Sequence, residues 1–255
     1  GNIGAVPSDY VGYQKVANPE ITKEFSEAYQ IDLPTTPGLT LVEMMNAAHA
    51  GDLKVLYIHG EDPVLSDADI KHTKEAIANL EMLIVQELFM TDTAAEADVV
   101  LPAAGWGEQE GTFTSGERRV QWLRKAQEPP EGAMLDWKIM EEIAVRMGRP
   151  RELFHYENAA EIWEEIRELA PSYYGITHER LLKPEGVHWP CLDPEDPCEP
   201  LMHKDKFAHP DGLGVFQALE HRGPVEVVDD EYPLLLTTTR ILFHYHAAMT
   251  RRCET

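Results

Sequence analysis

The sequence predicts an α/β protein: a doubly wound, mostly parallel sheet with flanking helices, followed by the start of a β-rich segment. Three observations carry this. Strand-like apolar runs alternate with helical periodicity over residues 53 to 101, amphipathic stretches stand on both sides of that unit, and the texture changes late in the chain. From about residue 183 it becomes rich in Pro, Asp and Gly, and apolar character returns near Tyr232. The expected organisation is therefore an α/β domain over 1–182, an irregular connection over 183–231 and, over 232–255, the opening of a truncated C-terminal β domain.

Taken in order, Pro19 to Tyr29 and "LTLVEMMNAAHAG", closed by Gly51, read as amphipathic helices. "LKVLYIHG" reads as a buried strand. In "SDADIKHTKEAIANLE", Ser66 is placed to cap a helix and Asp69 stands at the capping-box position, while Ile70, Thr73, Ala76, Ile77 and Leu80 recur at helical spacing. "MLIVQ" is a second strand, "TAAEA" a helical turn and "DVVLP" a third strand. Short βα connections of this kind imply parallel strands with right-handed crossovers, a Rossmann-like arrangement. "LDWKIMEEIAVRMG" sets Trp137, Met140, Ile143, Ala144 and Met147 on one helical face and stops at Gly148 and Pro150. "ENAAEIWEEIREL" turns Ile162, Trp163, Ile166 and Leu169 inward, and "YPLLLTTTRILFHYHAAMTRR" begins the β-rich segment.

Composition narrows the functional classes. The 255 residues carry 22 Lys and Arg against 45 Asp and Glu, so 22 − 45 = −23, which opposes non-specific binding to nucleic acid and to anionic membrane surfaces. No run approaches the ~20 apolar residues of a membrane helix, and the start lacks the basic-then-apolar order of a secretion signal. The expectation is a soluble, cytoplasmic protein without direct membrane insertion. Cys191, Cys198 and Cys253 are too few for a disulfide framework, and none has CxxC spacing. A free thiol pair in the Pro-rich loop "WPCLDPEDPCEP" is expected before a metal site.

In an open parallel sheet, ligands gather outside the carboxyl ends of the strands. Three loops leave those ends: "HGEDPVLSD", "QELFMTDT" and "AAGWGEQEGTFTSGERR". None contains a glycine-rich dinucleotide fingerprint or a P-loop. They offer Glu61, Asp62, Gln86 and Glu87 instead. A carboxylate accepts from an edge with two adjacent donors, such as guanine N1–H and N2–H2, and repels a bare phosphate. A phosphate would use turn N–H groups, hydroxyls such as Thr112, Thr114 and Ser115, or Arg118 and Arg119. Solvated loop charge is the alternative reading of the same residues. His244 and His246, two apart on a strand, share a face; without a third ligand in register they suit hydrogen bonding or plain surface better than a metal.

The order of these motifs resembles a known family. "YIHGEDPVLSDAD", "LEMLIVQELFMTDTAAEADVVLPAAGWGEQEGTFTSGERRVQ", "PPEGAMLDWKIMEEIAVRMG" and "EYPLLLTTTRILFHYHAAMTRR" together look like the second half of the catalytic subunit of molybdopterin-dependent formate dehydrogenases, in the dimethyl-sulfoxide-reductase superfamily. "GVHWPC", "HPDGLGVF" and "PSYYGIT" narrow the likeness towards formate dehydrogenases.

The resemblance implies molybdenum or tungsten held by two molybdopterin guanine dinucleotides, and two-electron oxidation of formate to CO2. It implies ligand-facing positions at Gly60, Glu61, Asp62, Gln86, Glu87, Gln109 and Asp136, with Thr238, Arg240, His244, Tyr245 and His246 against the pterin and its phosphates. Glu87 and Gln109 stand where relatives often carry Asp and Lys or His.

The family's iron–sulfur cluster domain, its catalytic Cys or selenocysteine and its active-site Arg correspond to positions before Gly1, and most of its C-terminal barrel to positions after Thr255. The expectation is half of a cofactor site and no catalytic centre, with the remainder of the catalytic subunit and an electron-transfer iron–sulfur subunit as partners. A guanine-nucleotide-binding or subunit-docking module is the alternative, as is a piece of another molybdopterin oxidoreductase such as nitrate reductase or formylmethanofuran dehydrogenase.

Overall fold

A computed structural model describes residues 7–198 and 200–237. The chain falls into two compact units, residues 1–200 and residues 201–255.

The first unit opens with a hairpin, β1 (Asp9–Tyr10) and β2 (Gln14–Lys15), followed by helix α1 (Pro19–Tyr29). Asn18 caps α1 and Gln30 ends it in the left-handed region. Tyr10 stacks on Phe25 at 4.3 Å, and Gln14 Nε2 donates to the Leu169 carbonyl at 2.6 Å. Helix α2 (Leu41–Ala50) has a complete capping box between Thr40 and Glu43 and closes on Gly51 at φ 80°.

The alternating unit follows: β3 (Val55–His59), the turn α3 (Pro63–Ser66), α4 (Ile70–Ala78), β4 (Met82–Glu87), α5 (Asp92–Ala95) and β5 (Val99–Pro102). The three strands are parallel in the order β3-β4-β5, with His59 opposite Gln86 and Glu87 opposite Pro102. The expected cap is displaced. Ser66 belongs to the turn α3, and Asp69 is the N-cap of α4, accepting from His72 N at 3.0 Å. Thr73, Ala76 and Ile77 are buried as their spacing predicts, whereas Ile70 is exposed. Met45 and Ala48 from α2 and Ala76 and Ile77 from α4 share one core with Leu56, Ile58, Leu83 and Val85. Burying a side chain such as Leu83 contributes about 2 kcal/mol before its entropy cost.

What was expected to be one long loop after the third strand contains a hairpin. β6 (Gly111–Thr114) pairs antiparallel with β7 (Arg119–Leu123), and β7 pairs with β8 (Val187–His188). Strand content among the described residues is therefore divided between one parallel and two antiparallel sheets, not mostly parallel. The fold is mixed α/β, with a parallel sheet and flanking helices.

Helix α6 (Asp136–Arg146) has the expected extent but a different inner face. Ile139 and Glu141 are buried, while Met140 and Met147 are exposed, because Arg151 and His155 receive Glu141 at its inner side. Helix α7 (Ala159–Leu169) presents Trp163, as expected, to a second core with Val120, Tyr173, Ile176 and Leu181 from α8 (His178–Leu181). Trp163 Nε1 donates to the Ile176 carbonyl at 2.7 Å. Cys191 and Cys198 belong to this core and form a disulfide, which corrects the expectation of free loop thiols. The six intervening residues, a Pro- and Asp-rich turn, bring the two Cα atoms to 5.2 Å, within bridging reach.

Residues 201–237 of the second unit contain no helix or strand. His203 stacks on Phe207 at 5.0 Å, and Phe207 N bonds the Gly212 carbonyl at 2.9 Å. The strand expected to begin near Tyr232 is absent through residue 237, and the rest of that stretch lies outside the described residues. Among the described residues no helix is long and apolar enough to cross a membrane.

Candidate functional site at the strand ends

The alternation of β3 buries Leu56 and Ile58, which leaves Tyr57 and His59 on the other side of the strand. One strand over, Gln86 ends the apolar run of β4 fully buried. A buried amide needs partners. Its Oε1 accepts from the Tyr57 hydroxyl, and its Nε2 donates to Asp136 Oδ1 at 2.7 Å.

Asp136 arrives from the first turn of α6, where the helix dipole favours a negative charge. Its other oxygen, Oδ2, accepts from Gln109 Nε2 at 3.0 Å, and His59 Nε2 lies 3.5 Å from Oδ1. Because a carboxylate only accepts, it fixes which way both amides face.

The loop carrying Gln109 is built by its acids and glycines. Glu108 accepts from Gly105 N at 2.7 Å and from Gln127 Nε2 at 3.1 Å, and Ala126 N bonds the Gly107 carbonyl at 2.8 Å. Ala104 N and Met134 N extend the link to the edge of β5 at 3.0 and 3.1 Å. Gln109 Nε2 also reaches the Ala104 carbonyl at 3.4 Å.

The electrostatics follow from this network. Burial pushes the Asp136 carboxyl up, but hydrogen bonds from His59, Gln109 and Gln86 outweigh it and hold the group below its ordinary value. The bond to Asp136 raises His59 above the usual imidazole range, against a smaller opposing effect of burial. Tyr57 is raised by burial and then by the Asp136 charge.

Gln86, Gln109 and Asp136 thus meet in one cluster, joined by Tyr57 and His59, which sequence reasoning missed. The available signal was a strand whose alternate positions carry two polar rings just before a glycine turn. Gly60, at φ 65°, donates to the Gln86 carbonyl at 3.0 Å and ties the first loop to the second strand. Glu61 is exposed beyond it. Glu87 is half-buried and turns Oε1 onto Leu88 N at 2.7 Å.

Asp62 differs from the expectation of a ligand-facing carboxylate. It is 1% exposed, and its Oδ1 accepts from Thr93 N and Oγ1 at 2.9 and 2.7 Å, holding α5 to the first loop. Of the alternative phosphate contacts, the two arginines are engaged elsewhere. Arg118, at φ 71° in the β6–β7 turn, donates to the Trp189 and Pro200 carbonyls, and Arg119 pairs with Glu117. Thr238, Arg240, His244, Tyr245 and His246 lie outside the described residues. Among the described residues no group of three or more His, Cys, Asp or Glu is disposed to hold a metal ion.

Comparison with known proteins bears on the same region. A family model described as molybdopterin oxidoreductase matches residues 1–146. The F420-dependent formate dehydrogenase 2 subunit alpha of Methanococcus maripaludis is 46% identical over 255 residues, covering 99% of this chain and 37% of that protein. The F420-dependent formate dehydrogenase subunit alpha of Methanocaldococcus jannaschii is 46% identical over 254 residues, with the same coverage. Formate dehydrogenase H of Escherichia coli is 40% identical over 256 residues, 99% of this chain and 35% of that protein. The chain therefore spans little more than a third of the length of these relatives. Among solved structures, acetylene hydratase from Pelobacter acetylenicus superposes with a TM-score of 0.52 at 20% identity, over 76% of this chain and 25% of that one, a likeness of fold alone.

Proposed function

The chain belongs to the molybdopterin oxidoreductase family, and from that premise we propose that its strand-end cluster forms one wall of a molybdopterin guanine dinucleotide site in a formate dehydrogenase. The observation that carries this reading is the convergence of Gln86, at a strand end, and Gln109, in a loop, on Asp136 at the start of a helix.

The set of acceptors fits a guanine. Asp136 offers about four lone-pair directions. Its contacts with Gln86, Gln109 and His59 use three. The Oε1 of Gln109 has no hydrogen-bond partner among the described residues, and the network turns it away from Asp136. One free lone pair on Asp136 and the Gln109 carbonyl make two acceptors for the adjacent N–H groups of a guanine edge, with Glu61 and Glu87 at the rim. Adenine, with an acceptor beside its amino group, meets those acceptors less well.

When bound, the pterin and its molybdenum or tungsten supply the redox chemistry of formate oxidation. This chain's residues hold and orient the nucleotide end, and the Asp62–Thr93 contact keeps the first loop in place. Residues 1–182 are read as the cofactor-binding domain with a Rossmann-like layer, residues 183–231 as its connection and residues 232–255 as the opening of the next domain. The remainder of the catalytic subunit and an electron-transfer iron–sulfur subunit complete the enzyme.

Calorimetric titration with GDP and ADP tests the reading. GDP is expected to bind at least about tenfold more tightly, the equivalent of one net hydrogen bond. Equal affinities, or no binding of either, would overturn it.

A further inference from the structure

The cluster around Cys191 and Cys198 lies in the second core, outside the strand-end site, and its geometry points to a separate chemistry. Arg180, from α8, reaches under the loop that joins the two cysteines. Its Nη1 donates to the Gly175 carbonyl at 2.9 Å, the Pro194 carbonyl at 3.0 Å and Cys191 Sγ at 3.4 Å. Its Nη2 donates to the Asp196 carbonyl at 2.8 Å and to Cys198 Sγ at 3.5 Å. Among the described residues, three backbone carbonyls and two sulfurs are its hydrogen-bond partners, and none is a carboxylate.

Two acids of the loop turn to backbone N–H groups of the loop itself. Asp193 Oδ1 accepts from Glu195 N and Asp196 Oδ1 from Cys198 N, both at 2.8 Å. Cys191 is 0% and Cys198 4% exposed, whereas Leu192 above them is 63% exposed. The loop is seated closely: a Cβ on Gly175 would stand 2.3 Å from the Asp193 carbonyl oxygen and 2.7 Å from Cys191 Sγ.

A guanidinium with no carboxylate partner among the described residues, held against both sulfurs, discriminates between the two redox states. A disulfide sulfur is a weak, neutral acceptor. A thiolate is an anion, and a neighbouring cation lowers the pKa of its thiol. The reduced state therefore gains an ion pair that the oxidised state lacks, which makes the disulfide easier to reduce.

We propose that Cys191 and Cys198 form a reversible thiol–disulfide site whose reduced state is an Arg180–thiolate pair, with a low-molecular-weight dithiol as the class of reductant. The dithiol attacks one sulfur as its thiolate, breaks the Cys191–Cys198 bond through a mixed disulfide, and then closes its own disulfide. Two electrons and two protons pass to the cysteines, and one proton is released as one of them ionises beside Arg180. Because the sulfurs are buried under an exposed loop, exchange requires the 191–198 loop to open locally.

The test uses the full chain carrying Cys253→Ser, so that only this pair is counted. The protein is equilibrated across ratios of reduced to oxidised dithiothreitol, quenched in acid and alkylated, and the labelled cysteines are counted by mass spectrometry. The Arg180→Gln variant is expected to need a ratio about tenfold more reducing than wild type for half-reduction, with Arg180→Lys restoring part of the difference. Coincident midpoints would overturn the proposal, as would full labelling at every ratio.

Because Arg180 also supports three carbonyls, its removal can unfold the region, so a measurement on the Cys253→Ser protein with Arg180 intact stands beside it. Thiolate absorbance of the reduced protein is followed against pH and is expected to persist well below the ordinary cysteine value of about 8.5. Ionisation at or above that value would sink the Arg180–thiolate pair.

Discussion

Replacing Asp136 with Ala should separate the cost of holding the strand-end network from the cost of reading a ligand. The carboxylate accepts from Gln86 at 2.7 Å and from Gln109 at 3.0 Å. Gln86 is fully buried, so its Nε2 has no water to turn to. An orphaned buried donor costs about 1–3 kcal/mol. Gln109 is only half-buried, and water can replace its lost acceptor at little net cost. The expected loss is therefore about 2 kcal/mol, taken almost wholly from one bond.

Asp136→Asn preserves the volume and behaves differently. Its amide oxygen can keep the bond to Gln86, but its nitrogen then faces Gln109. That amide must turn its oxygen inward, and the acceptor offered to a ligand becomes a donor. Urea unfolding followed by circular dichroism, together with GDP titration, should show the Ala variant destabilised and the Asn variant close to wild type in stability but without preference for GDP over ADP. An Ala variant within about 0.5 kcal/mol of wild type would refute the claim that Asp136 is the hub of the network.

The pH response has a definite sign. The Asp136 carboxyl is depressed in the folded chain, so its contribution is present above the unfolded carboxylate value of about 3.9 and is lost as pH falls through the folded value. His59 is raised, so its contribution is complete below the unfolded value of about 6.5 and is lost as pH rises through the folded one. Melting temperatures of wild type and His59→Gln should therefore differ between about pH 4 and 6.5 and converge in alkaline buffer; a gap that ignores pH would contradict the pairing. Asp62→Ala should cost about 2–3 kcal/mol, because Thr93 N and Oγ1 both lose a buried acceptor. Its folded form should still prefer GDP over ADP, and loss of that preference without loss of stability would return Asp62 to the ligand wall.

Local periodicity made the alternating core legible in the sequence. The run from Met82 to Gln86 reads as a strand without any knowledge of its neighbours, so the position of Gln86 at a strand end was also legible. Asp136 entered through a family likeness, because nothing in "LDWKIM" announces that its acid crosses 50 residues to meet Gln86. The contact of Asp62 with Thr93 is illegible for the same reason. Thr93 lies 31 residues away, and an acid in a turn looks alike whether it faces ligand or core. The hairpin was overlooked because glycines and acids between Ala104 and Arg118 masked two β-prone runs, "GTFT" and "RVQWL", separated by four residues. The disulfide is illegible in the sequence because three cysteines make no framework, and the approach of one pair depends on how a Pro- and Asp-rich turn folds.

The excess of acid in this chain bears on why the site is built from amides around one carboxylate. With a net charge of −23, a crevice lined by free carboxylates would repel any nucleotide, since its phosphates are anionic. At the centre of the cluster the charge of Asp136 is spread over hydrogen bonds from two amides and an imidazole whose own proton is stabilised by it. The Gln109 Oε1, without a hydrogen-bond partner among the described residues, is neutral and needs no counter-ion to accept from a base. Of the remaining acids, Asp62 is buried against Thr93 and Glu87 turns one oxygen to its own backbone, which leaves Glu61 as the exposed carboxylate of the first loop. Selectivity for a donor-bearing base and tolerance of its phosphates can then coexist, provided that His59 retains its proton. Raising the pH should therefore weaken GDP binding in wild type more than in His59→Lys, whose side chain stays charged.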